Sequence, residues 1–312
     1  MLLLHLSDVD EAGWARSYAE ALAPYPVVRH VDEFDPARIE YIFVWKPKPN
    51  AFEGLTNLKA VLSLGAGVDA LLRHPNLPDA PIVRFVDQDL TQRMSDYVVA
   101  HVTMHQRGYT RFQAAQKAHR WDQFYPPAAT ETTVGILGMG VLGQDAAKRL
   151  LPLGFSVRSW SRTPKELEGV ECFAGQDGLG RFLSGTDILV NLLPLTPETE
   201  GILNYKTFRQ LRHGGLEGGP VIINAARGGH QRETDIVKAL ADGTLGAASL
   251  DVFQVEPLPA DSPLWDLENC YITPHIAAIS NTASGVRYFS QIIRDHRAGR
   301  PLINVVDRER GY

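Results

Sequence analysis

The 312-residue chain has only two cysteines, Cys172 and Cys270, far apart and without His or acidic partners at metal-ligand spacing. That excludes a disulfide framework and a structural zinc site, so no metal is expected and a reducing compartment, the cytoplasm, is the expected location. No run approaches the roughly 18 apolar residues of a membrane helix, so no membrane partner is expected. The opening MLLLHL has no basic stretch before it, is too short for a signal core, and is followed at once by Asp8, Asp10 and Glu11; it reads as a first strand. Positive charge is not in excess either: 31 Lys and Arg stand against 36 Asp and Glu, a net of -5, with the basic residues scattered. A nucleic-acid partner is therefore not expected. Repeats and low-complexity tracts are absent. What is present is a hydrophobic fraction of 44% and a charged fraction of 21%, as in folded globular proteins, on a chain long enough for two units with separate cores.

From about residue 133 onward, short runs rich in Val, Ile and Leu alternate with helical stretches: TVGILG, FSVRSW, DILVNLL, PVIINAA, GAASLDVF and CYITP. Continuous apolar strands separated by helices imply a parallel sheet covered on both faces, a doubly wound α/β domain. The first hundred residues repeat the theme with LLLHL, YIFVW, KAVLSLG and PIVRFV, and with a helix over Glu11 to Ala23. Gln92 to Ala118 has no Pro and a single Gly, with Met94, Val98, Val102 and His105 near helical spacing, and is read as one long connecting helix. A further helix is expected from Ser280 to Ala298.

TVGILGMGVLGQDAAKRL places Gly138-x-Gly140-x-x-Gly143 directly after an apolar strand and before a helix. Glycine is needed there for the tight turn, for close approach of backbone to a pyrophosphate and for helix-strand packing, while the helix N-terminus stabilises the anion. The expected cofactor-binding loop is thus Gly138, Met139, Gly140, Val141, Leu142 and Gly143. The next strand ends at Ser161, 23 residues after Gly138, where an NAD-selective site usually has Asp or Glu. The acid is missing. Arg162 can pair bidentately with a 2′-phosphate and the hydroxyls of Ser161 and Thr163 can donate to it, so NADP(H) is expected to be preferred, with NAD(H) possible. The alternative is a solvated turn arginine without a role in selectivity.

Three further strand ends carry ionisable residues, where an open parallel sheet places its ligands: Arg227 in IINAARGG, Asp251 and Glu256 in LDVFQVEPLP, and His275 in ITPHIAA. Singly, each has a plainer reading: a surface salt bridge for Arg227, a loop carboxylate for Glu256, a structural histidine for His275.

Together with LGAGVD at 64–69, GMGVLG at 138–143, LLPLTPET at 192–199, NAARGG at 224–229, DVFQVEPLP at 251–259 and TPHIAA at 273–278, the chain resembles the D-2-hydroxyacid dehydrogenase family, and within it the glyoxylate/hydroxypyruvate reductase branch. The resemblance implies a Rossmann-type cofactor domain, 98–278, inserted into a smaller flavodoxin-like substrate domain formed by 1–97 and 279–312, and a homodimer. It implies an NADPH-dependent reduction of small 2-oxo acids in which Arg227, Glu256 and His275 are catalytic. His275 would be the proton donor, charged and oriented by Glu256, and Arg227 would hold the substrate carboxylate and polarise the carbonyl. By the same resemblance Trp45, Gly65, Ala66 and Gly67 contact the substrate together with Arg227. Met94, Leu193, Pro194, Ala225, Ala226, Arg227, Asp251 and His275 would line the cofactor. The chain departs from many members in reading Gly228-Gly229-His230-Gln231-Arg232-Glu233 after the arginine, with Ala226 where glycine is frequent. Two alternatives remain at this level: a dehydrogenase for larger 2-oxo acids, which the bulk of Trp45 disfavours, and a dinucleotide-sensing binding protein with vestigial activity, which the retained Arg227, Glu256 and His275 disfavour.

Overall fold

Runs that are apolar on both faces have to be covered on both faces, and the strands of this protein accordingly pair in parallel beneath helices. The computed structural model describes residues 1–312. The chain divides into two compact units, Met1–Leu90 with Ser280–Tyr312, and Thr91–Ile279. The first changeover falls earlier than the expected 97/98 because Met94, ahead of that boundary, joins the second unit's core cluster with Ile136 and Val190. The return falls at 279/280 against the expected 278/279. No helix is long and apolar enough to cross a membrane.

The first unit contains β1 (Leu2–Leu6), α1 (Glu11–Leu22), β2 (Val27–Arg29), β3 (Tyr41–Trp45), β4 (Ala60–Ser63), α2 (Asp69–Leu72) and β5 (Ile82–Arg84). Its parallel sheet runs β2-β1-β3-β4-β5, the strand order of flavodoxin-like sheets. The Asp10 carboxylate caps α1 by accepting from Gly13 N at 2.9 Å, and Trp14, Tyr18 and Leu22, four residues apart, form its buried stripe. Trp14 and Tyr18 pack on Phe43 with ring centroids 5.3 and 5.2 Å away, and Phe289 of the C-terminal helix, Thr282–Arg297, meets the same ring at 5.1 Å. Such aromatic packing is what returns the C-terminal segment to this unit.

The second unit is entered through α3 (Gln88–Gln106) and continues with α4 (Tyr109–Lys117), β6 (Thr133–Leu137), α5 (Val141–Leu150), β7 (Ser156–Ser161), β8 (Val170–Ala174), α6 (Gly175–Ser184), β9 (Ile188–Asn191), α7 (Tyr205–Phe208), β10 (Val221–Asn224), α8 (Glu233–Ala241), β11 (Ala247–Leu250) and β12 (Cys270–Ile272). Its seven parallel strands run β12-β11-β10-β9-β6-β7-β8, the doubly wound Rossmann order with one strand added. The strand order reverses between β6 and β9, so the crevice for a ligand opens beyond their carboxyl ends.

Two expectations are corrected here. The single connecting helix is two, because Gly108 adopts φ 73 as the cap of α4, and a Cβ there would stand 2.3 Å from the Phe124 ring. The edge strands β2 and β8 escape a search for buried runs because edge positions lack the two-sided burial that writes one; their residues are only half-buried or exposed.

The carboxylate of Asp187, fully buried, joins β6, β9 and a distant loop. It accepts from Thr133 N at 2.7 Å and from Arg212 Nε at 2.6 Å, with a second bond from Arg212 Nη2. The hydrogen bonds that Arg212 donates to Asp187 lift the Arg212 pKa against the opposing effect of burial. Replacing Asp187 with Ala strands a buried amide and half of an ion pair, and is expected to cost about 3 kcal/mol, read as a lower urea midpoint at unchanged m-value.

Candidate active site

The glycine loop joins β6 to α5. Gly138 has φ 100, and a Cβ on it would stand 2.8 Å from the Leu192 carbonyl oxygen; a Cβ on Gly143 would lie 1.9 Å from the Gly138 carbonyl oxygen. These two are glycine for packing and turn. Gly140 differs: a Cβ there meets nothing within 4 Å, so its missing side chain leaves open space at the loop surface. Gly140 is also the N-cap of α5 and supplies no capping side chain. The helix start thus has no side-chain acceptor at its cap and open space beside Gly140, which fits a pyrophosphate. Of the loop's other residues Met139 is buried, Leu142 half-buried and Val141 exposed.

At the end of β7, Ser161 is buried and its hydroxyl donates to the Thr163 carbonyl at 2.7 Å. The one proton of Ser161 therefore shapes the turn, while Arg162 and Thr163 are the exposed residues there. Arg162 contributes to the local field. The Glu198 carboxyl lies below its ordinary pKa through hydrogen bonds from Thr196 and its own backbone, with a smaller effect of the Arg162 charge.

The ionisable strand ends come together around Asp251, which is 1% exposed and directly follows β11. An acceptor-only carboxylate buried this deeply requires donors. Oδ1 accepts from Thr273 Oγ1 at 2.6 Å and Ile276 N at 2.8 Å, and Oδ2 from Ala277 N at 2.9 Å. The Asp251 carbonyl also accepts from His275 N at 2.8 Å. These bonds fold 273–277 into a turn that holds His275 at φ 55, outside the usual region for a non-glycine residue. Its Nδ1 lies 2.8 Å from Glu256 Oε2, and Glu256 Oε1 accepts from Phe253 N at 3.0 Å. Burial acts to raise the Glu256 pKa, but the hydrogen bonds from His275 and Phe253 and the charges of His275 and Arg227 outweigh it, so Glu256 is more acidic than usual. Arg227 is half-buried just beyond β10, close enough for its charge to act on Glu256. The three side chains thus gather at the carboxyl ends of the adjacent strands β10, β11 and β12 and the loops that follow them.

Leu193, Ala225 and Ala226 are buried beside these strand ends, Pro194 is half-buried, and Met94 is 6% exposed in a core cluster shared with Ala225 and Ala277. In the first unit, Trp45 ends β3, and its Cζ3 would be 3.0 Å from a Cβ on Gly65; indole and glycine turn pack together. Ala66 is half-buried and Gly67 exposed.

A buried amide network went unrecognised in the sequence. Asn191 Nδ2 donates to Asn224 Oδ1 at 3.0 Å, Asn224 Nδ2 donates to Gln231 Oε1 at 2.8 Å and to the Arg227 carbonyl at 3.1 Å, and Gln231 Nε2 reaches the Val252 carbonyl at 3.0 Å. It ties the β9 and β10 ends to the loops carrying Arg227 and Glu256. The available signal was an Asn closing each of two otherwise apolar strands, since such a group demands a partner. Gln231, in the stretch that departs from many members, serves this scaffold together with Glu233, whose Oε1 accepts from Gln231 Nε2 at 3.2 Å and Gln254 N at 2.8 Å.

Residues 69–277 match the model of the D-isomer specific 2-hydroxyacid dehydrogenase NAD binding domain. The chain is 41% identical over 295 residues to glyoxylate/hydroxypyruvate reductase A of Yersinia enterocolitica, covering 93% of each chain. It is also similar to the NADPH-dependent glyoxylate/hydroxypyruvate reductase of Sinorhizobium meliloti, crystallised with NADP and sulfate, at TM-score 0.94 and 44% identity over 100% of this chain and 99% of that one. A probable 2-hydroxyacid dehydrogenase of Rhizobium etli, crystallised with NADP, HEPES and L(+)-tartaric acid, matches at TM-score 0.93 and 47% identity with the same coverage. Likeness of this degree along the whole chain, added to the glycine loop and the strand-end constellation, makes the protein a member of the D-isomer specific 2-hydroxyacid dehydrogenase family and an NAD(P)-dependent oxidoreductase.

Proposed function

We propose that the protein reduces small 2-oxo acids, glyoxylate to glycolate and hydroxypyruvate to D-glycerate, with NADPH as reductant and His275 as proton donor. The observation that carries the reading is the 2.8 Å pair between His275 Nδ1 and Glu256 Oε2, with Arg227 near enough to act on the same carboxylate. The reduced nicotinamide, when bound, supplies the hydride. The chain's own residues do the rest. With Nδ1 committed to Glu256, His275 has Nε2 left to hand a proton to the former carbonyl oxygen, and Glu256 fixes the orientation of the ring. Arg227 holds the substrate carboxylate and places positive charge where the oxygen becomes more negative.

NADPH is favoured over NADH by Arg162 at the end of β7, where a carboxylate would repel a 2′-phosphate, and the relatives crystallised with NADP support the same choice. Trp121 and Tyr125 are 96% and 89% exposed in the segment after α4, and that uncovered aromatic surface supports a homodimer. The expected location is the cytoplasm.

The test is a panel of 2-oxo acids assayed with both reduced nicotinamides. Glyoxylate and hydroxypyruvate are expected to lead with NADPH; preference for phenylpyruvate or branched-chain acids would reassign the substrate, and tight NADPH binding without any turnover would point to a sensor. His275→Ala is expected to lower kcat about 10³-fold with NADPH binding nearly intact, since general acid catalysis is lost and the glycine loop is not. Arg162→Ala should raise KM for NADPH about tenfold or more while leaving that for NADH unchanged, as expected for a lost charge-assisted contact. In Glu256→Gln kcat is expected to fall about tenfold or more with NADPH binding nearly intact, because the His275 ring loses the carboxylate that orients it; an unchanged kcat would refute the role of Glu256.

A further inference from the structure

Tyr97, on α3, lies with its hydroxyl 2.9 Å from Thr273 Oγ1, which is in turn 2.6 Å from Asp251 Oδ1. Directions follow from chemistry. A carboxylate only accepts, so the single Thr273 proton goes to Asp251, and the Thr273 oxygen accepts from Tyr97. The Tyr97 ring is itself fixed: it lies on His101, with centroids 4.1 Å apart. His101 Nδ1 and His105 Nε2 both meet the Ser249 hydroxyl, at 2.7 and 2.8 Å. Burial keeps this scaffold uncharged, lowering His101 and, with a smaller push from His101, taking His105 down to about 3. It also raises the Tyr97 phenol, which stays a donor.

We propose that Tyr97 and Thr273 are positioning residues for the proton donor, acting through Asp251. The inference rests on the reading of His275 given above. The Asp251 carboxylate organises the 273–277 turn by accepting from Ile276 N and Ala277 N, one on each oxygen. Those two bonds require the carboxylate plane to be fixed, and the Thr273 hydroxyl is the only side-chain donor among its three partners. Without it the carboxylate can rotate, the amides lose aligned acceptors, and the left-handed backbone of His275 loses the constraint that maintains it. His275 would then spend less time with Nε2 aimed at the substrate oxygen.

Valine and serine separate this role from packing. Valine keeps the shape of Thr273 and loses the hydroxyl; serine keeps the hydroxyl and loses the methyl. In Thr273→Val, kcat for the fastest 2-oxo acid is expected to fall about tenfold, the scale of a modest misplacement of a catalytic group, with the Kd for NADPH within about twofold of the wild type. Hydrogen exchange at the Ile276 and Ala277 amides of the cofactor-free protein should accelerate. Thr273→Ser is expected to match the wild type in both measurements. Tyr97→Phe should show a smaller loss in the same direction, and adding it to Thr273→Val should cost little more, since the two act in series. Full activity in Thr273→Val, equal impairment in Thr273→Ser, or lost activity with unchanged amide exchange would each overturn the proposal. Should Thr273→Val fail to fold, Tyr97→Phe decides: unchanged kcat and exchange there would overturn it. If the wild-type protein turns over no 2-oxo acid, the proposed function fails, while the exchange comparison still decides whether the hydroxyl pair holds the turn.

Discussion

One buried carboxylate underlies the arrangement of this site. Asp251 is almost sealed from water, so it needs hydrogen-bond donors from the protein, and the available ones are a hydroxyl and two amides of residues 273–277. Meeting that need folds the segment into a turn in which His275 takes a backbone conformation it would rarely adopt alone. Glu256 is held in a parallel way by the Phe253 amide, and the two side chains then meet at 2.8 Å. The His275–Glu256 pair is partly exposed, while the groups that hold it in place are buried. The interior thus fixes the geometry of a pair that stays open to solvent.

The amide network beneath Arg227 repeats this logic in neutral form. Asn191, Asn224 and Gln231 are fully buried, and each uses its amide to close the end of a strand or loop. Strands ending in aliphatic residues would have left the buried Leu193 and Ala226 amides without the side-chain acceptors they use here. Ending two of them in asparagine links neighbouring β9 and β10 and supports the Arg227 carbonyl at the same time. The glycine loop completes the set, with two glycines required by packing and one by the space it leaves open.

Much of this is legible in the sequence. The strands of the cofactor unit are apolar on both faces and therefore wrote continuous runs, and the Gly138 loop stood between strand and helix as its chemistry requires. Harder to read were elements whose sequence carries no two-sided burial, namely β2 and β8, and the break at Gly108, where one glycine between two helical patterns was insufficient warning. Ser161 shows another limit. Its hydroxyl suits a phosphate by residue type, yet its proton is given to the Thr163 carbonyl two residues away. The Gln231 loop, legible only as a departure from familiar spelling, is a structural brace.

Periodicity, glycine placement and residue type, all local properties of a chain, determined which segments became strands and helices, which loop turns tightly enough for a phosphate, and which side chains could move protons or hold anions. Only the tertiary structure decided which of those side chains meet. Asp251 finds its donors 22 to 26 positions downstream, Glu256 finds His275 19 positions away, and Asn191 finds Asn224 33 positions away. Pairings at such separations are set by which strand ends lie side by side in the sheet and by the need of every buried polar group for a partner.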